Sequence, residues 1–354
     1  AIAKMQLIKK IIIKIYKFGF FKALKFFFQR INDNFCLNYL TNNLVKNSFE
    51  VNSPLILITQ IQRSGGTLLS QLFDGHDEIY AYPNELTIWE PKWELKNLDN
   101  NFDSFNNDYI KFFALNAEYK KESKSKWNKS YKFFFNLKSQ EKIFFNLTEK
   151  KSNQREILNA YFSSFFSSWL NYKNNIGKKS FVTAFIPRVN FNQESINYFF
   201  SNYNDGKIIT ITRDPLNWLA SAIKHDPKNY GNVTKALSLW KKSTHASLKL
   251  IKEDKAIGVN FDNLIKNTKK TMDFLCDRLK IQKKEILYIP TFNNEPILSD
   301  SSFKSIEGKI DQDTLKRTIN LEQDEIKKQL SESNDLVYEC NKLYSDYCNI
   351  TKLN

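Results

Sequence analysis

Leu55-Ile56-Leu57-Ile58-Thr59-Gln60-Ile61-Gln62-Arg63-Ser64-Gly65-Gly66-Thr67-Leu68-Leu69 is the stretch that decides the fold. Its apolar, β-branched start predicts a buried strand, its glycines a tight turn, and its end an apolar-periodic helix. A strand, glycine turn and helix in that order aim free backbone N–H groups and the positive end of a helix at one point, which makes an anion site. The glycines let the backbone approach the anion, and Ser64 and Thr67 add hydroxyl donors. Arg63, Ser64, Gly65, Gly66, Thr67 and Leu68 are therefore the candidate anion-binding residues. The loop is not a Walker A loop, which needs a Lys before its final hydroxyl residue. Here the cation, Arg63, stands before the glycines.

The remaining α/β signals follow the same rhythm. Strands are predicted near Glu78–Tyr82 and over Ser180–Phe185, Lys207–Thr212 and Ala256–Phe261. Helices are predicted around Asn192–Ser201 and over Asn232–Lys252 and Asn263–Leu279, with Pro215 near the first turn of another. Alternating strands and helices predict a mainly parallel, P-loop-like sheet flanked by helices. Residues 1–50 read as a basic helical lead-in and 51–325 as the main domain. Residues 91–180 read as a helical insertion that could wall an acceptor site, and 326–354 as a C-terminal helical tail.

The chain of 354 residues has a formal net charge of +15, so its expected partners are anionic: a nucleotide, an acidic glycan, a membrane surface or nucleic acid. No nucleic-acid motif is present, and the basic residues are spread along the chain. The four cysteines are scattered, without zinc or disulfide spacing, and the three histidines are too dispersed for a metal site. Ile8–Phe28 is apolar but is broken by Lys9, Lys10, Lys14, Lys17, Lys22 and Lys25, too many charges for a membrane span. These lysines gather opposite Ile12, Ile15, Tyr16, Ala23 and Phe27, which predicts a basic amphipathic helix. It either packs on the domain or touches a membrane surface. Neither a cleavable signal nor a transmembrane span is expected, and the expected location is cytoplasmic, at most peripheral on a membrane.

The second cluster is Thr212-Arg213-Asp214-Pro215 with Ser221 eight residues after Arg213. Arg213 falls at the carboxyl end of a predicted strand, where open α/β sheets place ligands. A guanidinium fork and a hydroxyl converging there suit a phosphate monoester. Alternatively, Arg213 pairs with Asp214, and Ser221 is a helix surface residue.

Together the two clusters resemble the sulfotransferases that use 3'-phosphoadenylyl sulfate (PAPS), in particular the carbohydrate, tyrosylprotein and related bacterial branches. Arg63-Ser64-Gly65-Gly66-Thr67 is similar to their 5'-phosphosulfate loop, R-S-G-[ST]-[ST], with Gly66 replacing the first hydroxyl residue. Arg213-Asp214-Pro215 with Ser221 is similar to their 3'-phosphate motif. Val259-Asn260-Phe261-Asp262-Asn263-Leu264 resembles v-x-Y-E-x-L, and Ser301-Ser302-Phe303-Lys304 with Gly308 resembles the late loop that closes over the nucleotide. The resemblance implies PAPS as cofactor, Arg213, Ser221, Ser302 and Lys304 among its ligands, no metal, and sulfuryl transfer to a hydroxyl of a glycan, a glycolipid or a peptide. It also implies a carboxylate base, for which Glu85 is the first choice and Glu90 the second. His76 is the histidine alternative, although its place after Gly75 favours a capping role. Where relatives carry K-[TD]-P, this chain has Phe185-Ile186-Pro187, and Arg188 is the nearest cation. Two other readings remain at this point: a P-loop nucleotide kinase or NTPase, and a non-enzymatic polyanion-binding protein.

Overall fold

The computed structural model describes residues 36–86, 123–124, 130–131, 133–149, 153–175, 179–297, 308–316 and 324–353. Its centre is a five-stranded sheet of β1 (Leu55–Ile58), β2 (Ile79–Glu85), β3 (Phe181–Phe185), β4 (Lys207–Thr212) and β5 (Ala256–Asn260), in the order β2-β3-β1-β4-β5. Every pairing is parallel. The central strand β1 is buried on both faces, as its unbroken aliphatic run requires. Leu55 and Leu57 face one apolar core, and Ile56 and Ile58 face another on the opposite side.

Helices cover both faces. Those longer than a single turn are, in chain order, α1 (36–46), α2 (Gly66–Phe73), α3 (Leu137–Thr148), α4 (Gln154–Ser168), α5 (Gln193–Asn202), α6 (Pro215–His225), α7 (Val233–Lys252), α8 (Phe261–Lys266), α9 (Thr268–Leu279), α10 (Asp324–Glu332) and α11 (Asn334–Ile350). Asparagine begins many of them. Asn136, Asn153, Asn192, Asn232 and Asn260 each accept a backbone N–H with the side chain at a helix N-cap.

The elements depart from the sequence reading in three places. Strand β2 runs to Glu85 instead of stopping at Tyr82, through Pro83 and a register shift between Ala81 and Glu85. Proline is tolerated there because β2 is an edge strand. The single helix expected over Asn263–Leu279 is two, α8 and α9, broken at Asn267 with φ −127° and ψ 44°. Helix α8 also begins at Phe261, because Asn260 caps it, so β5 ends one residue earlier than expected.

The described part of the 91–180 stretch, α3 and α4, is core material. Phe144, Phe162 and Phe165 join Tyr82 and Val182 in one apolar cluster against the sheet. The tail is equally integrated. Tyr347 of α11 is fully buried, donates its hydroxyl to Thr210 O at 2.9 Å and accepts from Val259 N at 3.2 Å, so it bridges the neighbouring strands β4 and β5. Among the described residues no helix is long and apolar enough to cross a membrane. The amphipathic segment 8–28 and Glu90 lie outside the described residues.

Helix α2 ends at Asp74, whose buried carboxylate accepts Asn294 N at 2.9 Å. Burial pushes this carboxyl above the usual carboxylate range, against the hydrogen bonds from Asn294 and Thr291 that hold it down. A group with a raised native pKa stabilises the fold at low pH and loses that contribution as pH rises through the native value. Asp74→Asn keeps an acceptor for Asn294 without the charge. Denaturation of both proteins across pH should show the variant gaining stability relative to the parent as pH rises above 4, with little difference at lower pH.

Candidate active site

The loop from Thr59 to Gly65 leaves the carboxyl end of β1, and Arg213 stands at the carboxyl end of its neighbour β4. This is the crevice where the strand order reverses. Arg63 has φ +67° and Gly65 φ +100°, with no positive value at Ser64 between them. Such alternation turns successive N–H groups toward a common centre. Gly65 occupies the N-cap of α2, and the first amide bonded within the helix is Leu69, to Gly65 O at 3.0 Å. The amides of Gly66, Thr67 and Leu68 precede it, in the turn where helix geometry leaves N–H groups without an intrahelical acceptor. The Ser64 hydroxyl is buried and has no hydrogen-bond partner among the described residues. A buried donor in that state suits an anion bound in the loop.

Both glycines are sterically required. A Cβ on Gly65 would stand 2.7 Å from the Phe261 ring, in addition to the cost of its positive φ. A Cβ on Gly66 would collide with Gln60 Nε2 and stand 2.5 Å from the Phe185 ring. The hydroxyl residue of the related loops therefore has no room here: Gln60 and Phe185 fill its place.

The two sequence clusters meet in space. Arg213 Nη1 donates to Arg63 O at 3.0 Å, and Arg63 Nε to Ser221 Oγ at 3.4 Å. Arg213 also donates from Nε to Asn217 Oδ1 and from Nη2 to Thr314 O at 3.1 Å, and its guanidinium carbon sits 4.4 Å over the Phe261 ring. The alternative pairing of Arg213 with Asp214 gives way to a capping role: Asp214 Oδ1 accepts Asn217 N at 2.8 Å and starts α6, with Pro215 in its first turn. Tryptophans brace both segments, Trp218 Nε1 donating to Gln62 O at 2.7 Å and Trp240 Nε1 to Arg213 O at 3.0 Å.

A cleft of about 140 Å³ opens at this junction. Arg63, Gly65, Gly66, Thr67 and Leu68 line it, together with Arg213 and Glu85. Glu85 is there because β2 extends past Pro83. His225, Asp311 and Thr314 also line it, and sequence reasoning missed all three. His225 had one available signal, since it follows Ser221 by four residues and shares its face of α6. Asp311 and Thr314 reach the cleft from a distant segment without a motif. Arg188, at φ +65°, is engaged elsewhere, donating to Gln62 Oε1 at 2.5 Å and Tyr230 Oη at 2.6 Å. It props the loop from outside the cleft lining. His76 is buried and structural, with Nε2 2.7 Å from Gln282 O and Nδ1 accepting Glu78 N at 3.1 Å. Ser302 and Lys304 lie outside the described residues.

Residues 54–285 match the sequence model of the Sulfotransferase family. The chain belongs to that family. Among solved structures it is similar to a sulfotransferase domain from the curacin biosynthetic pathway, at 16% identity and TM-score 0.44, covering 80% of this chain and 98% of that one. It is also similar to the sulfotransferase domain of the Synechococcus PCC 7002 olefin synthase, at 16% identity and TM-score 0.43, covering 81% and 98%. A sulfotransferase from Alicyclobacillus acidocaldarius matches at 10% identity and TM-score 0.40, covering 83% and 97%. No curated protein matches the chain.

The crowding at Gly66 makes a measurable demand on this sulfotransferase. Gly66→Ser, which installs the residue type that relatives carry, should lower unfolding stability by about 1–3 kcal/mol through overpacking against Gln60 and Phe185. Urea denaturation of the two proteins checks this, and equal midpoints would contradict the steric account.

Proposed function

We propose that this sulfotransferase takes a sulfuryl group from PAPS and passes it in line to a hydroxyl of an acceptor, a glycan or glycolipid, with Glu85 as general base. The observation that carries the reading is the junction of two cationic elements in one crevice. The glycine loop with Arg63 would hold the 5'-phosphosulfate, and Arg213 with Ser221 the 3'-phosphate. The buried, unpartnered Ser64 hydroxyl fits such a ligand. Ser302 and Lys304 would complete its ligand set.

When bound, PAPS supplies an activated sulfuryl group on a phosphate leaving group. The residues of this chain do the rest. Amides of Gly65, Gly66, Thr67 and Leu68, the α2 N-terminus and Arg63 provide fixed positive potential where negative charge grows on that phosphate. Glu85 lines the same cleft as the loop and takes the acceptor's proton. A nucleotide kinase would need a P-loop Lys, and Gly66-Thr67 offers none.

Binding and turnover separate the parts of the proposal. At 100 times its Kd, 3',5'-adenosine bisphosphate should stabilise the protein by about 2.7 kcal/mol, read as a thermal shift. Arg213→Ala should abolish that shift. Glu85→Gln should keep the shift while lowering kcat roughly 10²–10⁴-fold in a mass-spectrometric assay for sulfated acceptor. A full shift in Arg213→Ala, or full turnover in Glu85→Gln, overturns the corresponding assignment.

A further inference from the structure

Helix α6 brings two residues of one face to the cleft. Ser221 accepts from Arg63 Nε, and His225, four residues on, lines the cleft itself. His225 stands with Lys224 in the last turn of α6, where a cationic side chain is favoured by the helix dipole. Both are exposed, so a ligand can reach them from solvent. Lys228, in the single-turn helix Pro227–Tyr230 that follows, is exposed as well. Asp226, between them, is committed to starting that helix. Its carboxylate accepts Asn229 N at 3.1 Å and Asn229 Nδ2 at 2.6 Å.

Among the described residues, the cleft is lined by Arg63, Arg213 and His225 on the basic side and by Glu85 and Asp311 on the acidic side. Asp311 Oδ1 accepts Asp313 N at 2.9 Å. The basic groups do not stand in one cluster. Along α6 the order is Arg213, just before the helix, then Ser221, then His225. Pro215 and His225 bound the helix, and its ten steps span about 15 Å at helix rise. The two groups assigned to the 3'-phosphate therefore lie on one side of His225, which ends the helix at the other.

We propose that protonated His225 binds an anionic group of the acceptor, a carboxylate or a phosphate, while the acceptor's hydroxyl lies at Glu85. The assignment rests on the sulfuryl-transfer reading above and narrows its acceptor from any glycan or glycolipid to one that carries negative charge. With the nucleotide in place, its phosphates match Arg63 and Arg213. His225 is then the cation of the cleft lining that meets an anion arriving with the acceptor, in a charge-assisted hydrogen bond. Lys224 and Lys228 add positive potential at that end of α6, and the formal net charge of +15 draws anions toward the molecule.

The test uses the full chain labelled at histidine and saturated with 3',5'-adenosine bisphosphate. The chain has three histidines, His76, His225 and His245, so three sets of ring signals are followed by NMR. Those of His225 are assigned by their loss in His225→Gln. The probes are glucuronate, glucose 6-phosphate and glucose, at matched ionic strength. Glucuronate, glucose 6-phosphate or both should move the His225 signals saturably and raise the pH at which they titrate; glucose should do neither. The two anions separate a carboxylate-bearing acceptor from a phosphorylated one. His225→Gln should keep the thermal shift with 3',5'-adenosine bisphosphate and should raise KM for a charged acceptor about fivefold, as suits an exposed pair, with kcat little changed. The inference is overturned if neither anion moves His225, if glucose moves it as far, or if His225→Gln weakens the nucleotide tenfold, which would place His225 in the nucleotide site. A full thermal shift with an unmoved His225 sinks this inference alone. Absence of any thermal shift in the parent protein sinks the sulfuryl-transfer reading beneath it.

Discussion

The Arg213 guanidinium donates to the backbone oxygen of Arg63, and the rest of the site is arranged around that bond. It ties the loop after β1 to the end of β4 across 150 residues of sequence. Arg63 returns the link through Ser221, and the Phe261 ring lies beneath Arg213 while pressing on Gly65. Gly65 needs its missing Cβ for this contact as much as for its positive φ. A single apolar ring therefore touches both the loop at Gly65 and the Arg213 guanidinium. Asp214, freed from Arg213, is spent on starting α6, which carries Ser221 and His225 to the same crevice.

The sheet makes that arrangement rigid. Its order places β1 and β4 side by side, so their two loops emerge together. Pro83 and a register shift interrupt β2 at one outer edge, and Tyr347 ties β4 to β5. Past that interruption the strand continues to Glu85, which lines the cleft.

Much of this was legible in the chain. Lys207–Thr212 is a strand because its β-branched run can be little else, and the glycine turn after Ile58 leads into a helix as its apolar period predicts. What escaped was non-local. Glu85 looked like a residue after a strand, because Pro83 reads as a terminator unless the strand is known to be an edge. The break at Asn267 carries no glycine or proline to mark it. Gly66 in place of a hydroxyl residue has no local sign of its cause, because Gln60 and Phe185 fill the space that a side chain would need only in the folded chain. Asp311 and Thr314 reach the cleft only through tertiary packing, which leaves no periodic trace.

The central claim is that the two motifs make one two-phosphate site. A crystal structure with 3',5'-adenosine bisphosphate bound tests it most directly. The account predicts the 5'-phosphate on the amides of Gly65 to Leu68 and the 3'-phosphate within hydrogen-bond reach of Arg213 and Ser221. A nucleotide bound away from this crevice, or with its 3'-phosphate turned from Arg213, would contradict it.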